Sequence, residues 1–422
     1  MKSKVLKYLT ILFIIVGLGI FLLPSNSKEV YKPDTSVKLN EELNNNLSEI
    51  EGLVSMDDEI EKYLKHWKIQ GATLAISRND SLVYAKGYGW ADNGIRMEPG
   101  NLLRIASISK LVTAVGIMNL QDHGLISLSD KVFGEDGILN DSIYTDQIRD
   151  KNYYKITVEQ LLRHTAGFST GAGDPMFNTR DIISRFDLDH APGSEELVSL
   201  MLRYRLTYQP GTRPTYSNLG YLILSLIIEK ITEMPYETYI CENILKPAGI
   251  YDMHIGSNSY DGKYPNEVRY YMHEGSELIE EHNRSGRMVE KCYGGNNVTG
   301  LQGAGAWIAS APELSRLIAT INNYDGIEDI ISEESISEMI KFISPEQYGL
   351  GWNDITADGI WTRTGSFSGT TAIIKRYPDN EVWILITNTS TYRGYYFSKY
   401  TSKVFTRLRE SYSKLLPKKD LF

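Results

Sequence analysis

Short runs of alternating or β-branched apolar residues predict strands near both ends of the chain. These strands are predicted at 72–77, 82–88, 359–364, 370–376 and 381–388. Turn-forming residues at 78–81 and 377–380 separate neighbouring runs. The spacing therefore predicts antiparallel hairpins at each end.

Helical periodicity dominates the region between the two groups of strands. Helices are predicted at 55–67, 107–123, 158–164, 218–233, 236–245, 311–323, 332–342 and 397–415. Residues 253–300 are rich in Tyr, Gly and Asn and have weak periodicity, so they predict a long loop or insertion. The predicted fold class is α+β: one antiparallel sheet built from both chain ends and flanked by helices, with an all-helical region inserted.

The first 24 residues have the pattern of a targeting segment. Three lysines in the first seven residues precede an apolar run at 8–23, which Pro24 ends. The run is long for a signal peptide and short for a full membrane span, so residues 1–24 are a signal peptide or an N-terminal membrane anchor. Either alternative predicts an exported bacterial protein, periplasmic or extracytoplasmic, that is secreted or held at the membrane.

The remaining chain divides into three predicted parts. Residues 25–54 are polar and predict a tether, 55–410 form the predicted catalytic domain, and 411–422 form a solvated tail. Within the domain, 55–106 and 301–410 are assigned to the sheet region and 107–300 to the helical region. Residues 55–410 are long enough for a sizeable core.

Composition narrows the function classes. The net charge is −9 and no long basic run is present, which argues against nucleic acid as a partner. The seven histidines lack metal-ligand spacing, and no phosphate-binding glycine loop with lysine occurs. Cys241 lies within an apolar helical pattern, so a buried thiol is favoured over a disulfide with Cys292.

The first chemical motif is Ser107-Ile108-Ser109-Lys110. Ser107 falls in the first turn of a predicted apolar helix, where unpaired backbone N–H groups favour a developing oxyanion. Lys110 projects from the same helix face, and a desolvated lysine can act as the base for a serine nucleophile. Other Ser-x-x-Lys patterns begin at Ser25 and Ser411 but open no apolar helix, so context selects Ser107.

The second motif, Tyr216-Ser217-Asn218, leads into the apolar helix predicted at 218–233. A phenol near cationic groups can become a phenolate base, and the Asn218 amide can orient Lys110 and bind a substrate amide. The alternative is that Tyr216 is one of 28 tyrosines and Asn218 is a helix N-cap.

The third motif, Arg363-Thr364-Gly365-Ser366, ends a predicted strand. The glycine permits close approach of a ligand, and the Ser366 N–H is a candidate oxyanion donor. Arg363 is expected to bind a substrate carboxylate and to favour the anionic form of Tyr216. The alternative is a surface arginine at a strand end.

His164 is the one histidine in a suggestive setting, within Leu162-Arg163-His164-Thr165-Ala166-Gly167. It could serve a Ser-His-Asp triad, but no Gly-x-Ser-x-Gly elbow accompanies it. We therefore interpret His164 as structural.

In this order the three motifs resemble those of the serine β-lactamase and penicillin-binding protein family, on the class C β-lactamase and D-alanyl-D-alanine carboxypeptidase branch. The flanking sequences Arg104-Ile105-Ala106, Pro210-Gly211 and Tyr348-Gly349-Leu350-Gly351-Trp352 also resemble that branch. The resemblance spans roughly residues 55–410. Arg363 departs from it, because lysine or histidine is usual there.

The resemblance implies an exported serine hydrolase of the β-lactamase, carboxypeptidase or esterase type that acts through an acyl-serine on ester, amide or peptide bonds. Ser107, Lys110 and Tyr216 would be catalytic, and no cofactor or metal is implied. A carboxylate-bearing substrate is expected to be favoured. Two alternatives remain at this point: an acyltransferase using an alcohol or amine acceptor, and a penicillin-binding sensor that does not turn over.

Overall fold

The central sheet joins the two ends of the domain. The computed structural model describes residues 39–168, 173–273, 278–344 and 346–422, which belong to one compact unit. The strands are β1 Gly71–Arg78, β2 Ser81–Asp92, β3 Ile95–Arg96, β4 Leu103–Arg104, β5 His254–Ile255, β6 Leu278–Glu280, β7 Met288–Glu290, β8 Trp307–Ala309, β9 Asp354–Ile355, β10 Trp361–Phe367, β11 Thr370–Arg376 and β12 Glu381–Thr387.

Seven of these strands form an antiparallel sheet in the order β3-β2-β1-β12-β11-β10-β9. The β1–β12 pair closes the sheet between the two chain ends, with Ala72 opposite Thr387 and Ile76 opposite Trp383. The predicted antiparallel sheet from both ends is confirmed. All five predicted strands are present, although β2 and β10 extend beyond their predicted bounds.

Helices fill the sequence between these strands. They are α1 Leu39–Glu42, α2 Val54–His66, α3 Ser109–Asp122, α4 Ser142–Thr145, α5 Val158–Leu162, α6 Thr179–Phe186, α7 Ser194–Met201, α8 Asn218–Thr232, α9 Tyr236–Ile240, α10 Ala311–Ala319, α11 Glu333–Met339 and α12 Phe397–Tyr412. A π-helical turn, Cys241–Leu245, continues α9. Helix α2 has the predicted length but begins one residue earlier, the other predicted helices are shorter than predicted, and the short helices α1, α4, α6 and α7 were not predicted.

The core explains why β1, β11 and β12 are almost continuously buried rather than alternating. On one face, Met56 and Ile60 of α2 and Phe405 of α12 pack with Leu74 and Trp383 of the sheet. Helix α10 packs against β1 and β12 as well. Because both faces are covered, every residue of β12 is buried.

Helix α3 positions the site and is buried along most of its length. It crosses α8 and α9 closely at Gly116, where an added Cβ would lie 2.6 Å from Ile240 Cδ1 and 3.2 Å from Ile228 Cδ1. A glycine therefore allows the central helix to sit within the helical region, with its N-terminus directed at the sheet.

The predicted signal or anchor segment 1–24 and tether residues 25–38 lie outside the described residues. Two other boundary predictions, the rest of the tether and the C-terminal tail, need correction. Residues 39–54, predicted as tether, instead pack on the domain: Asn45 donates its side-chain amide to Met97 O at 2.8 Å, and Leu53 is fully buried. Individual contacts such as these hold the polar stretch on the domain, and its amino-acid composition does not reveal them.

The predicted tail 411–422 is also packed. Leu416 joins the core, Asp420 accepts the Leu82 N–H at 3.0 Å, and Leu421 N donates to Leu82 O at 2.9 Å. The long insertion at 253–300 contains β5 and the β6–β7 hairpin. Cys241 and Cys292 are both buried and are not joined in a disulfide. In the described ranges, no helix is long and apolar enough to cross a membrane.

Candidate active site

Ser107 lies in a tight turn at the sheet end of α3. The 3-10 turn Ala106–Ile108 runs directly into the helix at Ser109. Ala106 has φ 48°, a left-handed conformation that is costly for a residue with a Cβ. The turn leaves the Ser107 side chain half-buried while its neighbours Ala106 and Ile108 are buried. The helix N-terminus therefore presents a hydroxyl at the edge of β10.

Lys110 is completely buried one helical turn later. Its Nζ lies 2.6 Å from Asn218 Oδ1, 2.5 Å from Ala304 O and 3.4 Å from Ser107 Oγ. A neutral amine has two N–H donors and one lone pair. The two closer oxygens match the donors, and the lone pair is then left for the hydroxyl of Ser107.

Electrostatics favour that neutral amine. Burial, followed by the positive charge of Arg363, holds the pKa of Lys110 well below its usual value, while the charge of Asp174 opposes this effect. The expected desolvated lysine beside Ser107 is therefore present.

Tyr216 approaches the same hydroxyl from the loop before α8. Its OH donates to Ser107 Oγ at 2.8 Å. Burial raises the pKa of this phenol, and the positive charge of Arg363 and the hydrogen bond to Ser107 reduce the rise. A standing phenolate is thus disfavoured, so Tyr216 is better suited to pass a proton than to hold a negative charge.

His164 packs against the ring of Tyr216. Its ring lies 4.5 Å from the ring of Tyr216 and 4.8 Å from that of Tyr348, and its Nδ1 accepts the Ser217 N–H at 3.2 Å. Burial, then the charges of Lys110 and Arg363, hold the pKa of His164 well below its usual value. These contacts agree with a structural, neutral histidine.

Asn218 is the first residue of α8, whereas Ser217 is the N-cap and accepts the Gly220 N–H. The Asn218 Oδ1 accepts from Lys110, as expected, but its Nδ2 donates to Asp174 Oδ2 at 2.6 Å. The amide group that was expected to bind substrate therefore already has a protein partner.

The predicted contact of Arg363 with a substrate carboxylate is wrong for this structure. Arg363 is completely buried, and both its Nε, at 2.8 Å, and its Nη2 donate to the backbone oxygen of Ser107. Alternation along β10 turns Arg363 inward, toward the nucleophile turn. Its positive charge lowers the pKa of both Lys110 and Tyr216, and a hydrogen bond with Tyr216 adds to the effect on the pKa of that phenol.

The rest of the third motif lines the edge of β10. An added Cβ at Gly365 would lie 2.2 Å from Ile105 O and 3.1 Å from Ser107 N, so this strand needs a glycine there. Thr364 N donates to Asn353 Oδ1 at 2.7 Å. Ser366 is half-buried two residues further along, where β9 no longer covers the strand.

The fold thus brings the predicted residues of all three motifs together. Sequence reasoning missed Asp174 and the Ala304 carbonyl, because neither belongs to a motif and both are distant in sequence from Lys110. A cavity of about 230 Å³ opens beside Tyr216 and Asp174, with Phe168, Met201 and Leu219 among its apolar lining. Among the described residues, no group of three His, Cys, Asp or Glu side chains is placed to hold a metal ion.

The family follows from a comparison with known proteins. The sequence matches the profile of the Beta-lactamase family over residues 51–402. The chain belongs to the Beta-lactamase family. The resemblance predicted from the motifs is confirmed, and this member of the family is a serine hydrolase.

Relatives and solved structures agree with this assignment. The chain is 24% identical over 328 residues to penicillin-binding protein 4* of Bacillus subtilis, covering 75% of this chain and 67% of that protein. It is 28% identical over 215 residues to protein flp of Staphylococcus aureus, covering 50% of this chain but only 39% of the length of flp.

The fold is also similar to a solved D-amino acid amidase of Ochrobactrum anthropi. The TM-score is 0.65 with 21% identity, and the match covers 85% of this chain and 99% of the amidase. The similarity establishes the β-lactamase-type fold, an antiparallel sheet combined with helices.

Proposed function

We propose that this enzyme cleaves amide or ester bonds through an acyl-serine, with Ser107 as nucleophile and Lys110 as its base. One observation carries the proposal: Lys110 Nζ is surrounded by two acceptor oxygens and the Ser107 hydroxyl. Since burial and the charge of Arg363 lower the pKa of Lys110, a neutral amine at this position would donate to Asn218 and Ala304 and keep its lone pair for the serine proton.

In the acylation step, Ser107 Oγ bonds to the substrate carbonyl carbon while its proton moves to Lys110 Nζ. The backbone N–H groups of Ser107 and Ser366 are proposed to stabilise the resulting oxyanion. As the C–N or C–O bond breaks, the leaving group takes a proton from the OH of Tyr216, which regains one from Lys110. Deacylation runs the same transfers in reverse, with water supplying the attacking oxygen.

The proposed substrates are amides, peptides or esters of amino acids. Names of relatives and neighbours, a penicillin-binding protein and a D-amino acid amidase, support this class. The cavity beside Tyr216 and Asp174 is proposed to receive an apolar group of the acyl part. Preference for a carboxylate is not assigned to Arg363, because that guanidinium is buried against Ser107.

We further propose that catalysis takes place outside the cytoplasmic membrane. The three lysines before the apolar run 8–23 support export. Transfer of the acyl group to an alcohol or amine is the second candidate activity, since the same acyl-serine serves both outcomes.

The proposed nucleophile is tested by covalent labelling followed by mass spectrometry of the intact protein. Wild type and the control Ser129→Ala, an exposed serine, should gain one adduct from a fluorophosphonate or penicillin probe. Ser107→Ala should gain none while keeping its circular dichroism spectrum. Unchanged labelling of Ser107→Ala would refute the assignment.

Substrate class is tested with purified residues 39–422 on a panel of D- and L-amino acid amides, peptides, esters and nitrocefin. Added methanol or glycine amide separates hydrolysis from transfer, because transfer yields a new ester or amide. Labelling without any turnover on the panel would favour a sensor instead.

A further inference from the structure

Asp174 lies on the far side of Asn218 from Lys110, outside every predicted motif. Its Oδ2 accepts from Asn218 Nδ2 at 2.6 Å, and Asn218 Oδ1 in turn accepts from Lys110 Nζ at 2.6 Å. The Asn218 amide is therefore held at both ends. Its orientation is fixed, since a rotated amide would direct N–H groups at Lys110 and an oxygen at a carboxylate.

The position of Asp174 is itself defined locally. Asp174 is the N-cap of the 3-10 turn Pro175–Phe177, and its Oδ1 accepts the Met176 N–H at 2.9 Å. The ring of Phe177 lies 5.7 Å from that of Phe367 at the end of β10. The carboxylate is thus built into the turn that faces the strand carrying the third motif.

Charges of both signs face Lys110. Arg363 approaches from β10, and the aromatic rings of Tyr216 and Tyr221 lie 4.9 and 5.6 Å from Nζ. His164 after α5 is neutral, as its lowered pKa indicates. Within the described ranges, Asp174 is the acidic group that acts on this amine, and its charge raises the pKa that burial and Arg363 lower.

We infer that Asp174 is a positioning residue that keeps Asn218 turned toward Lys110 and places a negative charge behind that hydrogen-bonded pair. The inference rests on the proposed function of Ser107 and Lys110. It adds to the site a residue outside the three motifs. The charges of Asp174 and Arg363 both act on Lys110, in opposite directions.

The test is the pH dependence of the rate at which a fluorophosphonate labels Ser107, measured on residues 39–422. Asp174→Asn keeps an acceptor oxygen for Asn218 but removes the charge. The acid limb is the pH range over which the labelling rate rises as Lys110 loses its proton. In Asp174→Asn this limb should move to lower pH by roughly one to two units, because the variant removes a unit charge that acts on Lys110 over about 7 Å at an effective dielectric near 20. The plateau rate should stay within about threefold of wild type.

Asp174→Ala removes both the charge and the acceptor. Its plateau rate should fall at least tenfold, because Asn218 loses the partner that holds it. Asp187→Asn, an exposed acid at the end of the following helix, is the matched control and should leave both limb and plateau unchanged.

An unmoved acid limb in Asp174→Asn would overturn the charge effect, and a full plateau rate in Asp174→Ala would overturn the positioning role. If Asp174→Asn fails to fold, Asp174→Ser keeps a side-chain oxygen that can cap the turn at Met176 and removes the charge, so the position of the acid limb is then read from that variant. Failure of the proposed function appears separately, as wild-type protein that is not labelled at Ser107.

Discussion

Replacing Arg363 with methionine tests how the buried guanidinium supports Lys110. Methionine has a similar length without charge, so the substitution removes the positive charge and both hydrogen bonds to the Ser107 carbonyl. Since the charge of Arg363 lowers the pKa of Lys110, its loss should raise that pKa. The acid limb of kcat/KM should therefore move to higher pH.

The magnitude follows from the contacts through Ser107. Arg363 Nε lies 2.8 Å from Ser107 O, and Ser107 Oγ lies 3.4 Å from Lys110 Nζ. The guanidinium of Arg363 and the amine of Lys110, which gains its charge on protonation, are therefore about 7 Å apart. At an effective dielectric of about 20, unit charges at that distance interact by about 2 kcal/mol. This corresponds to a shift of roughly 1.5 pH units.

The assay is a pH–rate profile from about pH 5 to 10 on the best amide or ester of the panel, with Arg363→Lys as the control. Arg363→Lys keeps the charge but loses the forked contact, so its plateau should fall while its limb stays near that of wild type. An unmoved limb in Arg363→Met, with plateau activity still measurable, would refute the electrostatic reasoning.

Two further predictions test packing, one at the site and one at the C-terminal segment. Gly365→Ala should lower kcat/KM by about a hundredfold, because the added Cβ would lie 2.2 Å from Ile105 O and displace the nucleophile turn. Gly193→Ala, where an added Cβ has no atom within 4 Å, is the control, and equal rates for the two variants would contradict the steric argument. Deleting residues 413–422 should lower the free energy of unfolding by roughly 3 kcal/mol in urea titrations, through loss of buried Leu416 and the Asp420 hydrogen bond, whereas an unchanged midpoint would mean that this segment is a solvated tail.

The sequence predicts those parts of the fold that have a strong local signal. Alternating runs bounded by turns predict β1, β2, β11 and β12 because strand period and turn chemistry agree there. The apolar helix after Ser107 predicts α3 and the place of the nucleophile. Pairing of β1 with β12 follows, since each otherwise has an open edge.

Other features depend on contacts between residues distant in sequence. The polar stretch 39–54 packs through individual side chains such as Asn45, which hydropathy does not detect. The direction of the Arg363 side chain depends on the register of β10 beside the turn at Ser107. Asp174 lies in a loop without periodicity, and only the fold brings it to Asn218.

The central claim, that Lys110 is a neutral base for Ser107, is tested most directly by NMR of protein labelled with carbon-13 at the lysine ε-carbon. The Lys110 signal is assigned by its absence in Lys110→Arg. Our account predicts that it titrates well below the ordinary lysine pKa of about 10.4, while exposed lysines titrate near that value. A Lys110 signal that titrates together with the exposed lysines would contradict the account.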